Sequence, residues 1–358
     1  MKKVLFSRNP KDCVPSVEQT LRDVISSSRS FDFRSVLYDQ TLHELPLYYM
    51  KLSKSWQSSD VLMAVYPWVC RNGLSVLNPI RDLEMIFFEH LRRSKGRMRT
   101  ILFVYDLPIQ QAILSGRGKF YDKKSYEVEE EILKCFDILC VFNLAMREHF
   151  RERYAIDDRT FVEFECSDYY ISPYTARRQN SGGGKWNIFY AGSWTEGYTG
   201  EWMSRLRRVD GLTWYFLGAN WDWLSKENRH DFSWRSLNTN QKVCDYLASY
   251  ADFGILTYSE RMNAYLNYGC GSKFGAYVTA GVPILVDENC KYVASVVGKY
   301  GLGLSFDSVE RIPDLLANLT DSDYVELTRH CQLFAEKMRN GYFFKHALAQ
   351  ALRKLGLE

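Results

Sequence analysis

Short apolar runs alternate with stretches of helical spacing along the first 170 residues. Lys3–Phe6, Val61–Tyr66 (VLMAVY), Thr100–Val104 (TILFV), Asp137–Phe142 (DILCVF) and Phe161–Phe164 read as strands. Ser16–Ser26, Arg81–Leu91, Glu127–Phe136 and Leu144–Tyr154 read as helices. In the third of these, Val128, Ile132, Leu133 and Phe136 share one side and the acidic residues take the other. Near-continuous apolar strands linked through helices predict a parallel sheet covered on both faces.

The stretch SPYTARRQNSGGGK (Ser172–Lys185) breaks this alternation. Its three consecutive glycines among Ser, Asn and Arg read as a flexible connection, so a domain boundary is expected here. The alternation then restarts. Strands are expected at Trp186–Tyr190, Leu212–Leu217, Phe253–Leu256, Pro283–Val286 and Leu302–Ser305. Helices are expected at Lys242–Tyr250, Ser272–Ala280, Val309–Leu316, Asp323–Lys337 and Tyr342–Leu355. The expected fold class is α/β, with two doubly wound Rossmann-like domains over 1–171 and 172–341 and a closing helix over 342–358.

Composition narrows the class of partner. The chain has 358 residues and a net charge of +3, too small for nucleic acid to be its main partner. Its nine cysteines form no CxxC pair, which fits reduced thiols in a cytosol better than a zinc cage. The start, MKKVLFSRNPKDC, has too short an apolar core for a signal peptide, and no run approaches a membrane span. A cytoplasmic protein is therefore expected. Seven of the nine tryptophans lie between Trp186 and Trp234, which suggests packing, with stacking on a sugar or base as the sharper reading.

Parallel sheets bind ligands beyond the carboxyl ends of their strands. GCGSKFGAYVTAGVPILV (Gly269–Val286) puts three glycines and a lysine at the start of a helix, before a buried strand. Its GxGxxxG spacing misses the dinucleotide fingerprint by one residue, and its lysine stands on the wrong side of the glycines for a P-loop. A helix start offers free N–H groups and partial positive charge, glycines allow close approach, and Lys273 adds a full charge. Together these can hold a diphosphate; a tight connection with a solvated lysine is the plainer alternative. In AGSWTEG, Gly192 and Ser193 can donate to the same anion. In FVYDLP, Asp106 can act as a general base or cap the following turn. The loop SGRGKFYDKK (Ser115–Lys124) can be a lid or a solvated connection. Asp321-Ser322-Asp323 precedes a helix and is read as capping. The six histidines show no ligand spacing, so no metal is expected. No GxSxG elbow supports a serine hydrolase.

Four stretches carry a resemblance: DVLMAVYP (Asp60–Pro67), ILFVYDLP (Ile101–Pro108), FDILCVFNLAM (Phe136–Met146) and YLNYGCGSKFGAYVTAGVPILV (Tyr265–Val286). They resemble elements of the GT-B glycosyltransferases, more narrowly of the bacterial glucosyltransferases that extend GlcNAc on serine-rich adhesins and the related β-1,6-galactofuranosyltransferase family. Tyr105 and Phe142 stand where that family has histidines, and Ser272 replaces the histidine before its lysine. The resemblance implies a GT-B fold with a cleft between its domains. It implies transfer of a sugar from a nucleotide diphosphate, expected to be UDP-hexose, to a hydroxyl of a glycan or glycoprotein acceptor. No metal and no cofactor beyond the donor are implied.

Position by position, the resemblance assigns the diphosphate to Gly271, Ser272, Lys273, Phe274, Gly275 and Ala276. It assigns a hydroxyl across the cleft to Ser16 and the base to Arg235 and Ser236 of the loop WRSL. Lys273 and its helix start would stabilise the departing diphosphate. The E-x7-E pair of many retaining members is missing, so neither stereochemical course is assigned. The closing helix is expected to cross back onto the first domain. A basic side with Lys345, Arg353 and Lys354 leaves contact with an anionic membrane open, and self-association is open as well. A nucleotide-sugar epimerase of the same double fold, and a catalytically degenerate transferase acting as a binding partner, remain as alternatives.

Overall fold

The computed structural model describes residues 1–8, 15–38, 54–67, 88–89, 91–93, 96–174, 185–195, 199, 201–206, 209–221, 232–237 and 239–357. Two compact units emerge: Met1–Cys166 with Gly341–Glu358, and Ser167–Asn340.

The first unit contains β1 (Lys3–Arg8), α1 (Pro15–Arg29), β2 (Arg34–Tyr38), β3 (Val61–Tyr66), β4 (Arg99–Val104), α2 (Pro108–Leu114), α3 (Lys123–Cys135), β5 (Ile138–Val141), α4 (Leu144–Tyr154) and β6 (Phe161–Glu163). Its six parallel strands run in the order β2-β1-β3-β4-β5-β6. All six residues of β3 are buried, which is why VLMAVY shows no alternation. The loop ahead of α3 is ordered by a capping box. Asp122 Oδ1 accepts from Ser125 N at 2.8 Å, and Ser125 Oγ accepts from Asp122 N at 3.2 Å.

The second unit contains β7 (Trp186–Ala191), β8 (Leu212–Leu217), β9 (Phe232–Arg235), α5 (Asn240–Tyr250), β10 (Phe253–Leu256), α6 (Glu260–Tyr265), α7 (Gly271–Thr279), β11 (Ile284–Asp287), α8 (Lys291–Tyr300), β12 (Gly303–Phe306), α9 (Ile312–Ala317) and α10 (Asp321–Arg339). Its parallel order, β12-β11-β10-β7-β8-β9, is that of the dinucleotide-binding doubly wound sheet. The chain first lays strands outward from β7 to β9, then returns and builds from β10 to β12. The strand order therefore reverses between β7 and β10. Such a switch point leaves a crevice at the carboxyl ends, because the connections on its two sides leave toward opposite faces.

Trp186, Trp202, Trp214 and Trp221 are buried in this unit's core with Ile188, Phe216 and Phe253. Packing therefore accounts for these four, while Trp234 is exposed on β9. The expected WRSL loop is partly strand, since Trp234 and Arg235 end β9 and Ser236 follows it. Thr320 rather than the Asp321-Ser322-Asp323 run caps α10, its Oγ1 accepting from Asp323 N at 3.1 Å. Most of the expected helix Arg81–Leu91 and residues 175–184 of the expected connection lie outside the described residues. No described helix is long and apolar enough to cross a membrane.

The final helix, α11 (Tyr342–Lys354), packs in the first unit against α1, β5 and β6. Phe343, Phe344, Ala347, Leu348, Ala351 and Leu352 are buried, and Phe344 stacks on Phe103 at 4.2 Å. Lys354 Nζ donates to the carbonyl of Phe161 at 2.6 Å, so one of the basic residues faces protein. Each large side chain buried here contributes about 1.5–3 kcal/mol. Removing residues after Gly341 should therefore leave aggregating protein, checked by sedimentation and circular dichroism. A soluble, folded remainder that had lost binding to anionic liposomes would instead assign the helix to a membrane.

Candidate functional site at the switch point of the second unit

β7 ends at Ala191, and the backbone continues through Gly192 across the carboxyl end of β8. Gly192 N donates to Leu217 O at 2.7 Å, and Trp221 Nε1 donates to Gly192 O at 2.9 Å. Gly218 sits at φ +150°, where a side chain would come within 2.5 Å of the Gly192 carbonyl carbon. Ser193 is exposed and its Oγ accepts from Ala219 N at 3.0 Å. The loops after β7 and β8 are thus laced together. Arg235 carries this rim one strand further: its carbonyl accepts from Gly218 N at 2.9 Å, and its guanidinium lies 4.9 Å from the Tyr246 ring. Arg235 and Ser236 are both exposed.

On the other side of the switch point, β10 leads into a buried polar network. Thr257 Oγ1 and Asn263 Nδ2 donate to Asp287 Oδ2 at 2.8 and 2.9 Å, and Asn263 Oδ1 accepts from Tyr258 N at 2.8 Å. Asn289 donates to Asp287 Oδ1 through backbone and side chain, both at 2.9 Å. The Thr257 and Asn263 donors fix the turn carrying Tyr258 to the end of β11, while the Asn289 donors order the turn that follows β11.

α7 starts here. Gly271 has φ +69°, a left-handed turn suited to glycine, and no side chain caps the helix end. Gly271 and Ser272 are exposed at this helix start, where the first N–H groups lack intrahelical partners and carry partial positive charge. Phe274, Gly275 and Ala276 point inward. Phe274 and Ala276 are buried, and a side chain on Gly275 would meet the Tyr169 ring at 2.6 Å. Gly275 therefore serves helix packing. One turn on, the Tyr277 hydroxyl accepts from Ala191 N at 2.7 Å and donates to Ile255 O at 3.0 Å. It ties the ends of β7 and β10 to the helix.

Lys273 turns back across the crevice. A Cβ built on Gly192 would lie 2.5 Å from Lys273 Cε and 3.0 Å from Nζ, so the glycine leaves room for this side chain. Nζ donates to the Tyr258 hydroxyl at 2.8 Å and lies 4.1 Å from the Tyr258 ring and 4.7 Å from the Tyr190 ring. The two rings displace water, and this burial pushes the amine pKa down to about 7, against a smaller upward pull from Cys290. The structure thus brings Lys273, Gly192, Ser193, Gly271 and Ser272 to one crevice, with Arg235 and Ser236 along its rim. Tyr190, Tyr258 and Tyr277 are additions that sequence reading missed. For Tyr190 and Tyr258 the one available signal was a polar-tipped aromatic at or just past a strand's carboxyl end; Tyr277, inside α7, carried none.

Asp106 and Ser16 belong to the first unit. Asp106 follows β4, half-buried, with Oδ1 accepting from Leu107 N at 3.1 Å. Ser16 lies in the first turn of α1. Tyr105, Phe142 and Phe164 form an aromatic cluster at the carboxyl ends of β4 to β6, with centroids 4.5–5.7 Å apart. Among the described residues, no group of three His, Cys, Asp or Glu side chains is placed to hold a metal ion.

Residues 188–351 match the family described as Glucosyltransferase 3-like, C-terminal domain. A relative, Glucosyltransferase 3 of Streptococcus parasanguinis, is 25% identical over 104 residues, 29% of this chain and 31% of the relative. The chain therefore matches about a third of that relative's length. Among solved structures, a sucrose-phosphate synthase from Thermosynechococcus elongatus superposes with TM-score 0.65 at 11% identity, covering 99% of both chains. An α-glucosyltransferase solved in complex with UDP superposes with TM-score 0.58 at 11% identity, covering 98% of this chain and 100% of the other. Residues 188–351 thus resemble the Glucosyltransferase 3-like C-terminal domain, within a chain whose two Rossmann-like α/β units share the fold of these two solved structures.

Proposed function

We propose that the protein is a glycosyltransferase. It takes a hexose from a nucleotide diphosphate, with UDP as the expected carrier, and passes it to a hydroxyl of a glycan or glycoprotein acceptor. One observation carries the reading: a lysine side chain and an uncapped helix start converge beside Gly192 and Ser193 at the sheet's switch point. A diphosphate needs such a set of cations and N–H donors.

In the reaction, the bond from the anomeric carbon to the diphosphate oxygen breaks and a bond to the acceptor oxygen forms. Negative charge grows on the leaving diphosphate. Lys273 and the N–H groups at the start of α7 would stabilise that charge without reorganising, which lowers the barrier more than binding alone. Asp106 is the candidate to receive the acceptor's proton. No metal is required in this reading, because Lys273 and the helix end supply the positive charge.

A panel of nucleotide sugars in thermal-shift assays tests donor binding, followed by product analysis with and without acceptor. UDP-linked donors should raise the melting temperature, and release of UDP should require an acceptor. Sugar interconversion without acceptor would select the epimerase reading. Activity lost in EDTA and restored by manganese would contradict metal independence. The aromatic cluster at Tyr105 and Phe142 favours one second reading, a degenerate transferase that only binds a partner enzyme. That reading predicts donor binding without turnover.

A further inference from the structure

We propose that Asn263 and Asp287 are positioning residues that hold the turn at Tyr258 and thereby aim the Lys273 amine at the donor diphosphate, an assignment that rests on the reading of this crevice as a nucleotide-sugar site.

The contacts run from the sheet to the amine. β11 ends at Asp287, which is buried. Beside it β10 ends at Leu256, and the chain turns through Thr257 and Tyr258 into α6, where Asn263 is buried. Asp287 Oδ2 accepts from Thr257 Oγ1 at 2.8 Å and from Asn263 Nδ2 at 2.9 Å. Asn263 Oδ1 accepts from Tyr258 N at 2.8 Å and from Cys290 Sγ at 3.2 Å. Burial pushes the Cys290 thiol up, so it keeps the proton it donates. Lys273 lies in a slot beside Gly192 and the rings of Tyr190 and Tyr258, and its Nζ donates to the Tyr258 hydroxyl at 2.8 Å. Asp287 therefore reaches the amine through Asn263 and Tyr258.

The network has a direction. An amide has one accepting and one donating end. With Oδ1 toward Tyr258 N and the Cys290 thiol, Nδ2 must meet an acceptor, and the Asp287 carboxylate supplies it. Turned over, Asn263 would set Nδ2 against Tyr258 N, donor against donor. The other carboxylate oxygen is committed as well, because Oδ1 accepts from Asn289 N and Nδ2, both at 2.9 Å. In a buried site an unmade hydrogen bond costs more than a made one returns, so one arrangement of the turn is favoured over the rest. Such precision matters to an amine that must meet a developing charge, since misplacement by about 1 Å costs roughly a hundredfold in rate.

Exchanging the two side chains tests the direction. Asp287→Asn alone sets amide against amide, and if Asn263 turns over to meet the change, Tyr258 N loses its acceptor. Asn263→Asp alone sets carboxyl against carboxyl. Together, Asn263→Asp with Asp287→Asn restores the match. The new carboxylate at 263 still accepts from Tyr258 N and Cys290, and the new amide at 287 donates to it while its oxygen accepts from Asn289. The Thr257 hydroxyl can turn to accept.

Two measurements read the outcome: UDP affinity by calorimetry, and hydrogen exchange of the Tyr258 amide without ligand. Each single variant should bind UDP about tenfold more weakly and exchange the Tyr258 amide at least about tenfold faster. The double exchange should bring both back to within about threefold of wild type. Thr257→Val is the milder variant if a single one fails to fold. It removes one tie between the turn and Asp287, and UDP affinity should fall about threefold with faster Tyr258 exchange.

A merely structural role would lower the melting temperature and speed Tyr258 exchange while leaving UDP affinity of the folded variants unchanged, and that result overturns the proposal. A folded double exchange that recovers neither reading overturns it too, because the direction of the bonds would then not matter. If the wild type binds no UDP, recovery of Tyr258 protection in the double exchange supports the hold on the turn and counts against the donor reading alone. Protection that the single variants leave unchanged overturns the proposal whether or not UDP binds.

Discussion

Lys273→Met should abolish most transfer activity and at the same time stabilise the fold. The loss follows from the position of the amine between Gly192 and Tyr258, at the start of α7. A charge-assisted contact to a diphosphate is worth about 1.5–3 kcal/mol, so UDP should bind roughly ten- to a hundredfold more weakly. Turnover should fall further, by about 100- to 1000-fold, because charge on the leaving group peaks in the transition state. Unchanged UDP affinity by calorimetry would remove Lys273 from the site.

The stability gain follows from the sign of the pKa shift. The folded amine titrates near 7 and the unfolded one near 10.5, so the unfolded chain binds more protons between these values. Stability of the wild type therefore rises with pH across that window. At and below neutrality the folded state carries the full cost of keeping an ammonium in the slot. Methionine, of similar length and uncharged, removes that cost. After allowance for solvent that reaches a half-buried side chain, the gain should be on the order of 1–2 kcal/mol, or roughly 3–6 °C in melting temperature. The gain should vanish at alkaline pH, where the wild-type amine is neutral in both states. Such a cost is expected where function requires a buried charge.

Much of the second unit was legible because its central strands are buried on both faces. FGIL and PILV are short apolar runs bounded by turns, and they appear as β10 and β11. The edge strand β9 was not legible: in FSWR three of four residues are exposed, so no apolar run marks it. α8 was missed although its buried residues Val293, Val296 and Val297 stand at i, i+3 and i+4; its β-branched valines and Gly298 are weak helix formers and obscure that spacing. Lys273 could be picked out because glycine spacing and a helix start are local signals. Its partners could not. Tyr190 and Tyr258 stand 68 positions apart, and they flank one amine only because β7 and β10 become neighbours when the strand order reverses. Sequence reading supplied the charge; the crossover between non-consecutive strands supplies its environment.

Gly254→Ala should unfold the second unit or lower its melting temperature by more than any surface change. Gly254 lies in β10 between β7 and β11, hydrogen-bonded on both sides of a six-stranded sheet. A Cβ there would stand 2.4 Å from both Cγ and Cδ1 of Tyr277 and 2.7 Å from Cδ2. The strand cannot retreat without breaking ladder bonds. Nor can the ring turn aside, because Tyr277 is fully buried and its hydroxyl bridges Ala191 N and Ile255 O. Overpacking of this kind costs about 1–3 kcal/mol, and losing the bridging hydroxyl leaves buried backbone groups unsatisfied at about 1–3 kcal/mol more. The sum is a large part of the stability of a domain of this size. Tyr277→Leu makes the mechanism testable, since it removes the ring that the new methyl group strikes. Tyr277→Leu alone should destabilise through the lost hydroxyl and the cavity. Combined with Gly254→Ala it should cost less than the sum of the two, by about 1 kcal/mol or more in a denaturant-unfolding cycle. Additive losses would show that the methyl group and the ring never compete for the same space.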